Sequence, residues 1–329
     1  MLPVAVDAMG GDHAPRAIVA GAIRAQAEYG IPVVLVGRPD EIGDPGPLEV
    51  IPASEVIAMD ADPAQSVRRM KDSSLARAAE AVRDGRASAM ISAGNTGATM
   101  ASALLRMGRI RGVARPAIAT PIPDPVGKPT VLLDAGANAE CQPEWLAQFG
   151  LMGAVYCRER YGVERPDVGL LSIGEEPTKG NELVKAAHVL LADPAWAAAG
   201  GARFIGNIEG RDLMSSTADV AVTDGFTGNV ALKSLEGGMR SLIGALLGVF
   251  DATDEARRAA EVLLPALAPL YAQLDPENTG GAMLLGVDGV CLISHGSSSD
   301  TAICNAVRTA AEMVEADLVG HIRAAVAAA

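Results

Sequence analysis

Aromatic residues are scarce in this 329-residue chain, which contains four Phe, four Tyr and two Trp. Hydrophobic residues nevertheless make up 49% of the sequence. A core must therefore be built from Ala, Val, Leu, Ile and Met, which are the aliphatic residues most often found buried. The length corresponds to about two average domains, which is enough for a large core without a disulfide or structural metal.

Cysteine and histidine are also few, with four of each spread along the chain. Neither a C-x-x-C nor an H-E-x-x-H spacing occurs, which argues against zinc and thioredoxin-like sites. The N-terminal apolar run has no basic start and meets Asp7, so it does not read as a signal peptide. The most apolar stretch, residues 242–250, is shorter than the roughly 18–20 residues of a membrane span. We therefore predict a cytoplasmic protein in a reducing compartment, without a metal site.

Positive charge is in short supply, because 27 Lys and Arg face 40 Asp and Glu for a net charge of −13. This balance disfavours binding to a nucleic-acid backbone. The chain contains no G-x-G, hence no dinucleotide fingerprint, and it contains no phosphate-binding P-loop. It also lacks the G-x-S-x-G nucleophile motif. These absences favour direct attack by a bound substrate over a covalent enzyme intermediate.

Short aliphatic runs alternate with longer stretches rich in Ala, Arg and Glu. Strands are predicted at residues 4–6, 32–36, 89–92, 117–120, 130–133, 168–172, 202–205, 220–223 and 290–293. Helices are predicted at residues 15–29, 73–84, 97–106, 143–161, 181–191, 228–247, 254–274 and 299–318. The alternation predicts an α/β protein with a mainly parallel sheet covered on both faces, a three-layer α/β/α sandwich.

The domain organisation is predicted to be simple, with residues 1–329 forming a single α/β/α unit. Residues 228–276 contain two successive helical stretches with no strand between them. We expect these stretches to form a helical hairpin that protrudes from the sheet. The alternative is that they pack as ordinary surface helices on the core.

Glycines and small polar residues follow several predicted strands, at residues 7–12, 92–98, 134–138, 223–229 and 294–298. The carboxyl ends of parallel strands share one edge of a sheet, and ligands bind there. Helix N-termini offer unpaired N–H groups to anions, and glycine lets a ligand approach the backbone closely. The predicted phosphate- or substrate-binding residues are Gly94, Asn95, Thr96, Gly97, Asp134, Asn138, Asp224 and Gly225. Ordinary tight turns with helix caps would produce a similar pattern.

A positive charge near the bound anion is predicted in the segment of residues 174–188. Lys185 and His188 are three residues apart and share one face of a predicted helix. Lys185 would supply a compact positive charge for a phosphate or a developing oxyanion. The alternative is a solvated helix face on which Lys185 pairs with Glu182.

Seven motifs in a fixed order carry a resemblance to a known family. They are DAMGGDHAP at 7–15, SAGNTGA at 92–98, DAGAN at 134–138, the segment at 172–188, TDGFTGN at 223–229, LLGVDG at 284–289 and SHGSS at 294–298. Together they closely resemble the bacterial PlsX family, the acyl-acyl-carrier-protein:phosphate acyltransferases of phospholipid synthesis. The resemblance spans nearly the whole chain. One departure is Thr-Gly-Gly-Ala-Met at 279–283, where the family often has Tyr-Gly-Gly-Ala-Pro.

The resemblance implies transfer of a fatty acyl group from acyl-[acyl-carrier protein] to inorganic phosphate, giving acyl phosphate for phosphatidic acid synthesis. It implies a fold like the isocitrate and isopropylmalate dehydrogenases and the phosphotransacetylases, a homodimer, no cofactor, and peripheral association with the membrane. Lys185 and Asn229 match the family's active-site positions, and we expect them to be catalytic. His188 is expected to support them as a binding residue.

Two other functions stay open at this point: a phosphotransacetylase acting on acyl-CoA, and a non-catalytic membrane-associated scaffold. Acyl-carrier proteins are acidic, so docking one on a chain of net charge −13 requires a local basic patch. The candidate patches are Arg68, Arg69 and Lys71; Arg106, Arg109, Arg111 and Arg115; and Arg257 and Arg258. The patch at 106–115 is preferred, and the leucines of 257–274 are candidates for contact with lipid.

Overall fold

A computed structural model of the chain describes residues 1–125 and 127–329, and it describes residue 276 without its side chain. The strands are β1 Val4–Asp7, β2 Val33–Gly37, β3 Glu49–Pro52, β4 Ala89–Ser92, β5 Ala117–Ile122, β6 Thr130–Leu133, β7 Asp167–Leu171, β8 Arg203–Ile208, β9 Val220–Val222, β10 Ala282–Leu285 and β11 Val290–Ile293. They form one continuous sheet in the order β3-β2-β1-β4-β11-β10-β5-β6-β9-β7-β8.

Helices cover this sheet on both faces. They are α1 Arg16–Tyr29, α2 Pro39–Ile42, α3 Pro63–Arg69, α4 Ser74–Arg83, α5 Thr96–Arg106, α6 Pro143–Tyr161, α7 Glu182–Leu191, α8 Pro194–Gly200, α9 Gly225–Asp251, α10 Asp254–Leu274, α11 Asp300–Glu315 and α12 Leu318–Ala328. Two short 3-10 helices lie at Gly210–Met214 and Pro276–Asn278. None of the helices in the described part of the chain is both long and apolar enough to cross a lipid bilayer.

The three layers are visible in the two sets of buried side chains. One face of the sheet packs against α1, α6, α7, α8, α11 and α12. The other face packs against α3, α4, α5 and the first turns of α9. Neighbouring residues of a strand alternate between the two sets, as Val4 and Ala5 do. The predicted three-layer α/β/α fold with a mainly parallel sheet is confirmed.

The sheet consists of two parallel blocks that run in opposite directions. Strand β10 is antiparallel to both of its neighbours, β11 and β5, and β5 is antiparallel to β6. Strands β6, β9, β7 and β8 are parallel to one another and therefore run opposite to β3, β2, β1, β4 and β11. The expectation that all the glycine loops share one edge is thus wrong, because the loops after β1, β4 and β11 lie at the other end of the strands from those after β6, β7 and β9.

Strand β10, which lies between β11 and β5, was not predicted from the sequence. Strand β10 is a four-residue run bounded at its start by Gly280 and Gly281, which have φ angles of +83° and +88°. Few other residues adopt these angles, so the glycine pair determines the shape of this turn despite the unusual residues on either side. Strand β3 was missed as well, because this short edge strand contains no fully buried residue.

Helices α9 and α10 are successive helices in contact with each other, and the predicted helix at 228–247 extends in fact over Gly225–Asp251. Only Gly225 and Gly228 of α9 are buried, and only Ala260 of α10. Large apolar side chains are exposed on both helices, with Leu242 at 72% and Val262 at 76%. Most of this helix pair therefore has no covering layer within the described chain.

Candidate active site

The loops after β1, β4 and β11 form a first loop cluster, residues 7–12, 92–97 and 294–298. Asp7 is buried at its centre and accepts hydrogen bonds from Ser92 Oγ at 2.7 Å and from the Met9 amide at 3.1 Å. Ser92 Oγ in turn accepts from the Gly94 amide at 2.9 Å. Burial raises the pKa of the Asp7 carboxyl above its usual range, although these hydrogen bonds oppose the shift. Asp7 thus braces two loops internally.

Helix α5 begins within this cluster, at the predicted anion-binding loop. Asn95 caps the helix, since its Oδ1 accepts from the Ala98 amide at 2.9 Å, and its Nδ2 donates to the Met59 carbonyl at 2.8 Å. The Gly94 amide is already bonded to Ser92. The amides of Thr96 and Gly97 have no acceptor among the residues that the structure describes. Two N–H groups of the predicted loop are therefore free to meet an anion, whereas Asn95 has a structural role.

The loops after β6 and β9 form a second loop cluster, residues 134–138 and 223–229. Asp134 is fully buried, and its carboxylate accepts from the amides of Ile118, Gly136, Ala137 and Asn138 at 2.7–3.1 Å. Asn138 Nδ2 adds a further bond at 2.9 Å. Burial raises the pKa of Asp134, and the amide donors oppose that shift. Asp134 therefore shapes the loop, with its oxygens engaged by the protein itself.

Helix α9 starts directly against the loop that Asp134 holds. The Gly225 amide donates to the Asn138 carbonyl at 2.7 Å, and a Cβ atom at Gly225 would lie 2.7 Å from that same oxygen. A Cβ atom at Gly228 would overlap the Asp134 carbonyl oxygen. Asp224 caps the helix through the Thr227 amide and hydroxyl, at 2.9 and 2.8 Å. The two glycines are needed for contact between the helix and the loop. The Asp224 side chain and the Gly225 amide both form hydrogen bonds within the protein.

Asn229 lies one turn into α9 and is exposed. A Cβ atom at Gly136 would lie 3.6 Å from the Asn229 Cβ and Cγ atoms, so the side chain of Asn229 rests beside the loop of residues 134–138. No side-chain hydrogen bond of Asn229 is found within the described part of the chain. Its amide is therefore free to donate to a ligand at this end of the sheet.

Lys185 and His188 lie on α7, which follows β7. Lys185 is 43% exposed, and its Nζ atom lies 3.3 Å from Glu182 Oε1. His188 Nδ1 lies 3.0 Å from Asn207 Oδ1, while Asn207 Nδ2 donates to the Glu176 carbonyl at 2.8 Å. Asn207 thereby links His188 to the loop before α7. His188 is thus a residue that positions the loop, and Lys185 carries an accessible charge at the start of the helix.

The structure places Lys185 and Asn229 at the same end of the sheet. Strands β7 and β9 are paired in parallel, and α7 and α9 begin beyond their carboxyl ends. The two helices lie on opposite faces, because α7 packs with one set of buried side chains and α9 with the other. Residues 94–97 follow β4 and lie at the opposite end of the strands. The predicted site residues are therefore divided between two loop clusters.

Cys141 lies beside the second loop cluster, with its Sγ atom 3.6 Å from the Asn138 carbonyl oxygen. Burial, together with the negative charge of Asp134, raises the pKa of Cys141 to about 12. The thiol is therefore protonated at neutral pH and is a poor nucleophile. No group of three or more His, Cys, Asp or Glu side chains suited to a metal ion occurs in the described ranges, 1–125 and 127–329.

Two adjoining cavities next to this cluster were not anticipated from the sequence. The first, of about 650 Å³, is lined by Leu104, Arg109, Ala114, Arg115 and Trp145. The second, of about 430 Å³, is lined by Arg115, Asn138, Glu140, Cys141, Gln142 and Trp145. Arg109 and Arg115 are predicted from the sequence as part of a basic docking patch, not as residues that line a cavity. The sequence signal that could have located the cavity is Trp145, because tryptophan is rare in this chain. Trp145 lies 30 positions after Arg115.

The arrangement of sheet and helices defines a structural class. EutD phosphotransacetylase from Staphylococcus aureus matches with a TM-score of 0.62 and 17% identity, covering 95% of this chain and 94% of that one. A phosphotransacetylase from Streptococcus pyogenes matches with a TM-score of 0.63 and 16% identity, again covering 95% and 94%. At this level of identity the match establishes the fold alone.

The sequence itself identifies the family. A family described as "Fatty acid synthesis protein" matches residues 2–320. The phosphate acyltransferase of Elusimicrobium minutum is 47% identical, covering 97% of this chain and 94% of its own, and that of Pelotomaculum thermopropionicum is 46% identical, covering 99% and 95%. The chain belongs to this family, the PlsX family whose motifs it carries. The prediction of an acyltransferase enzyme is confirmed.

Proposed function

We propose that this protein transfers a fatty acyl group from acyl-[acyl-carrier protein] to inorganic phosphate, giving acyl phosphate for phospholipid synthesis. The observation that carries the proposal is that Lys185 and Asn229 follow two paired parallel strands at the same end of the sheet, in a chain that is 47% identical to the phosphate acyltransferase of Elusimicrobium minutum. The accessible charge of Lys185 and the free amide of Asn229 are groups suited to an anion and a developing oxyanion.

In the proposed reaction a phosphate oxygen attacks the thioester carbonyl carbon. The carbonyl oxygen gains negative charge, the carbon–sulfur bond then breaks, and the carrier thiolate leaves and takes up a proton. Lys185 and Asn229 stabilise the charge on phosphate and on the carbonyl oxygen, and holding the two reactants together supplies several kcal/mol of the barrier reduction. The high pKa of Cys141 is consistent with attack by phosphate itself.

The loop at 94–97 is proposed to bind phosphate or the donor's pantetheine arm. The free amides of Thr96 and Gly97 support this role. Helices α5 and α9 also lie on the same face of the sheet, with α5 against β11 and α9 against β5 and β6.

We further propose a cytoplasmic homodimer that associates peripherally with the membrane through the hairpin of α9 and α10. The exposed apolar side chains of the hairpin support this, because a surface patch of this kind marks contact with lipid or protein. For the carrier protein we propose docking at residues 106–115. The alternative patch at Arg257 and Arg258 is less suited to docking, because both arginines already form ion pairs within the hairpin. Their partners are Asp251, Asp254 and Glu255.

The test is phosphate-dependent formation of acyl phosphate from palmitoyl-carrier protein, with palmitoyl-CoA and acetyl-CoA as competing donors. We expect Lys185→Ala and Asn229→Ala each to lower kcat by ~10²–10³, the usual cost of losing one group that stabilises an oxyanion. The control Lys128→Ala should retain its kcat, because Lys128 is exposed near the amino end of β6, away from the site.

Three outcomes would contradict the proposal or its mechanism. An inactive parent protein would leave the scaffold function, and preferential turnover of acetyl-CoA would favour a phosphotransacetylase. Full activity of Lys185→Ala would remove the lysine from the mechanism.

A further inference from the structure

Three arginines of the segment 109–115 have no ion-pair partner among the residues that the structure describes. In a chain with 40 acidic residues, Arg109, Arg111 and Arg115 lie within seven positions of one another and have no carboxylate within 4.0 Å among the described residues. Their neighbour Arg106 is paired with Glu80 at 3.4 Å. Because three such guanidinium groups lie close together in the sequence, they leave a local positive charge that can attract an anion.

Arg109 and Arg115 line the cavity of about 650 Å³ described above, which we name the arginine groove: Leu104, Arg109, Ala114, Arg115 and Trp145. The Arg115 guanidinium carbon lies 5.0 Å from the centroid of the Trp145 ring, a cation–π contact. This contact orients a planar group whose five N–H donors fit phosphate oxygens in pairs. The groove therefore presents an oriented phosphate-binding group beside an aromatic surface.

The backbone around the groove is held in place before any ligand arrives. Arg109 Nη1 donates to the Ala114 carbonyl. The Ala114 amide donates to Gln148 Oε1 at 2.8 Å, and Gln148 Nε2 donates to the Gly112 carbonyl at 3.0 Å. Gln148 thereby fastens this loop to α6, the helix that carries Trp145. Such prior ordering reduces the entropy lost on binding.

The groove also leads toward the second loop cluster, where Asn229 lies. Arg115 and Trp145 line both cavities, and the second cavity reaches Asn138. The Asn138 carbonyl accepts the first amide of α9, the helix that carries Asn229. Glu140 lies in the second cavity, so a phosphate is favoured at the arginine end rather than there. An elongated ligand would have its anionic end at Arg109 and Arg115 and its other end near Asn138.

We propose that the arginine groove binds the phosphate ester of the donor's pantetheine arm, with Arg115 as its principal contact. A free phosphate would not need a cavity of this size lined by Leu104 and Trp145, and an acyl chain would not need two arginines. A phosphorylated arm of amide and methylene groups matches both features. The inference rests on the proposed thioester donor, and it gives that donor's arm a binding site.

The first experiment measures binding without any acyl transfer. Trp145 is a natural reporter, since Trp196, the second tryptophan of the sequence, is buried with its Nε1 atom bonded to the Ala147 carbonyl. We compare 4′-phosphopantetheine with pantetheine, which differ by the phosphate alone, using fluorescence and calorimetry. The parent should bind the phosphorylated probe ~10-fold more tightly, as expected for one charge-assisted contact.

Arg115→Gln should lose most of this preference. Arg165→Gln, which alters an exposed arginine outside the groove and outside any observed ion pair of the described chain, should keep it. Equal affinity of the two probes for the parent protein would overturn the proposal. So would a preference that Arg115→Gln retains in full.

The second experiment measures kinetics with palmitoyl-carrier protein and palmitoyl-CoA. Arg115→Gln should raise the KM for a donor ~10-fold while the KM for phosphate stays within about twofold. A rise in the KM for phosphate alone would make the groove a site for free phosphate and overturn the proposal. If the parent forms no acyl phosphate yet discriminates between the small probes, the proposed function fails while the binding site stands.

Discussion

Gly228 shows how a single residue fixes the distance between α9 and the loop that Asp134 holds. A Cβ atom there would overlap the Asp134 carbonyl oxygen, which belongs to the backbone and has no freedom to rotate away. We expect Gly228→Ala to lower the free energy of unfolding by about 1–3 kcal/mol, the range for an overpacked contact. Urea denaturation measures this loss, and the rate of acyl phosphate formation should fall with it because Asn229 is displaced.

The same helix supplies the control for that change. A Cβ atom at Gly237 would have no atom within 4 Å, so Gly237→Ala should stabilise the helix by about 0.5–1 kcal/mol. The two Gly→Ala changes in α9 are expected to change the free energy of unfolding in opposite directions. A neutral Gly228→Ala would mean that the helix and the loop separate at little cost.

At the scale of elements, α9 and α10 are the helices with the most exposed apolar surface to explain. We expect Leu242→Asp with Val262→Asp to reduce co-sedimentation with phospholipid vesicles several-fold, because both side chains are solvent-exposed and their burial in lipid would be lost. The effect on stability should stay within about 0.5 kcal/mol, as is usual for exposed positions.

The matched control carries the same added charge on exposed small residues of the same two helices, Ser234→Asp with Ala259→Asp. This control should keep its vesicle binding. A double variant at 242 and 262 that binds vesicles normally but loses its dimeric mass in light scattering would assign the apolar surface to the dimer interface instead.

The sequence predicted the layers of the fold and most of its elements, but it did not predict the direction of the second block. Buried runs such as Val131 to Leu133 and the capped start of α9 are local features that composition and spacing can reveal. The direction of β6 depends on the antiparallel pairing of β10 with β11 and β5. These contacts join residues far apart in the sequence, and the four residues of β10 give no local sign of them. For the same reason the loops at 94–97 and 134–138 were predicted to share an edge.

The candidate site shows the same division between local and long-range features. Lys185 and Asn229 are predicted from motifs, whereas the hydrogen bonds of Asp134 and Asn138 are visible only in the structure. A conspicuous carboxylate in a glycine loop reads as a ligand contact in sequence. In the structure the Asp134 carboxylate accepts five hydrogen bonds from neighbouring N–H groups. The arginine groove joins residues of two separate segments and has no local signature.

The whole molecule has a net charge of −13 and yet belongs to a family of phosphate acyltransferases. Much of its positive charge is neutralised locally, since arginines such as Arg203 and Arg211 form ion pairs with neighbouring carboxylates. At a distance an anion therefore meets a negative field, whereas at the proposed site it would meet Lys185 and free backbone amides. Attraction at short range and repulsion at long range respond differently to salt, because salt screens distant charges far more than close ones.

This difference predicts an unusual salt dependence for a protein that binds an anion. Raising the ionic strength from about 0.01 M to 0.15 M shortens the screening length from about 30 Å to about 8 Å, which removes the long-range repulsion and leaves the contacts largely intact. We expect the KM for phosphate to fall by a factor of a few over this range. Steady-state rates in sodium chloride and in potassium acetate separate screening from competition by the added anion. A KM that rises equally in both salts would show that local positive charge, rather than the net charge, governs the approach of phosphate.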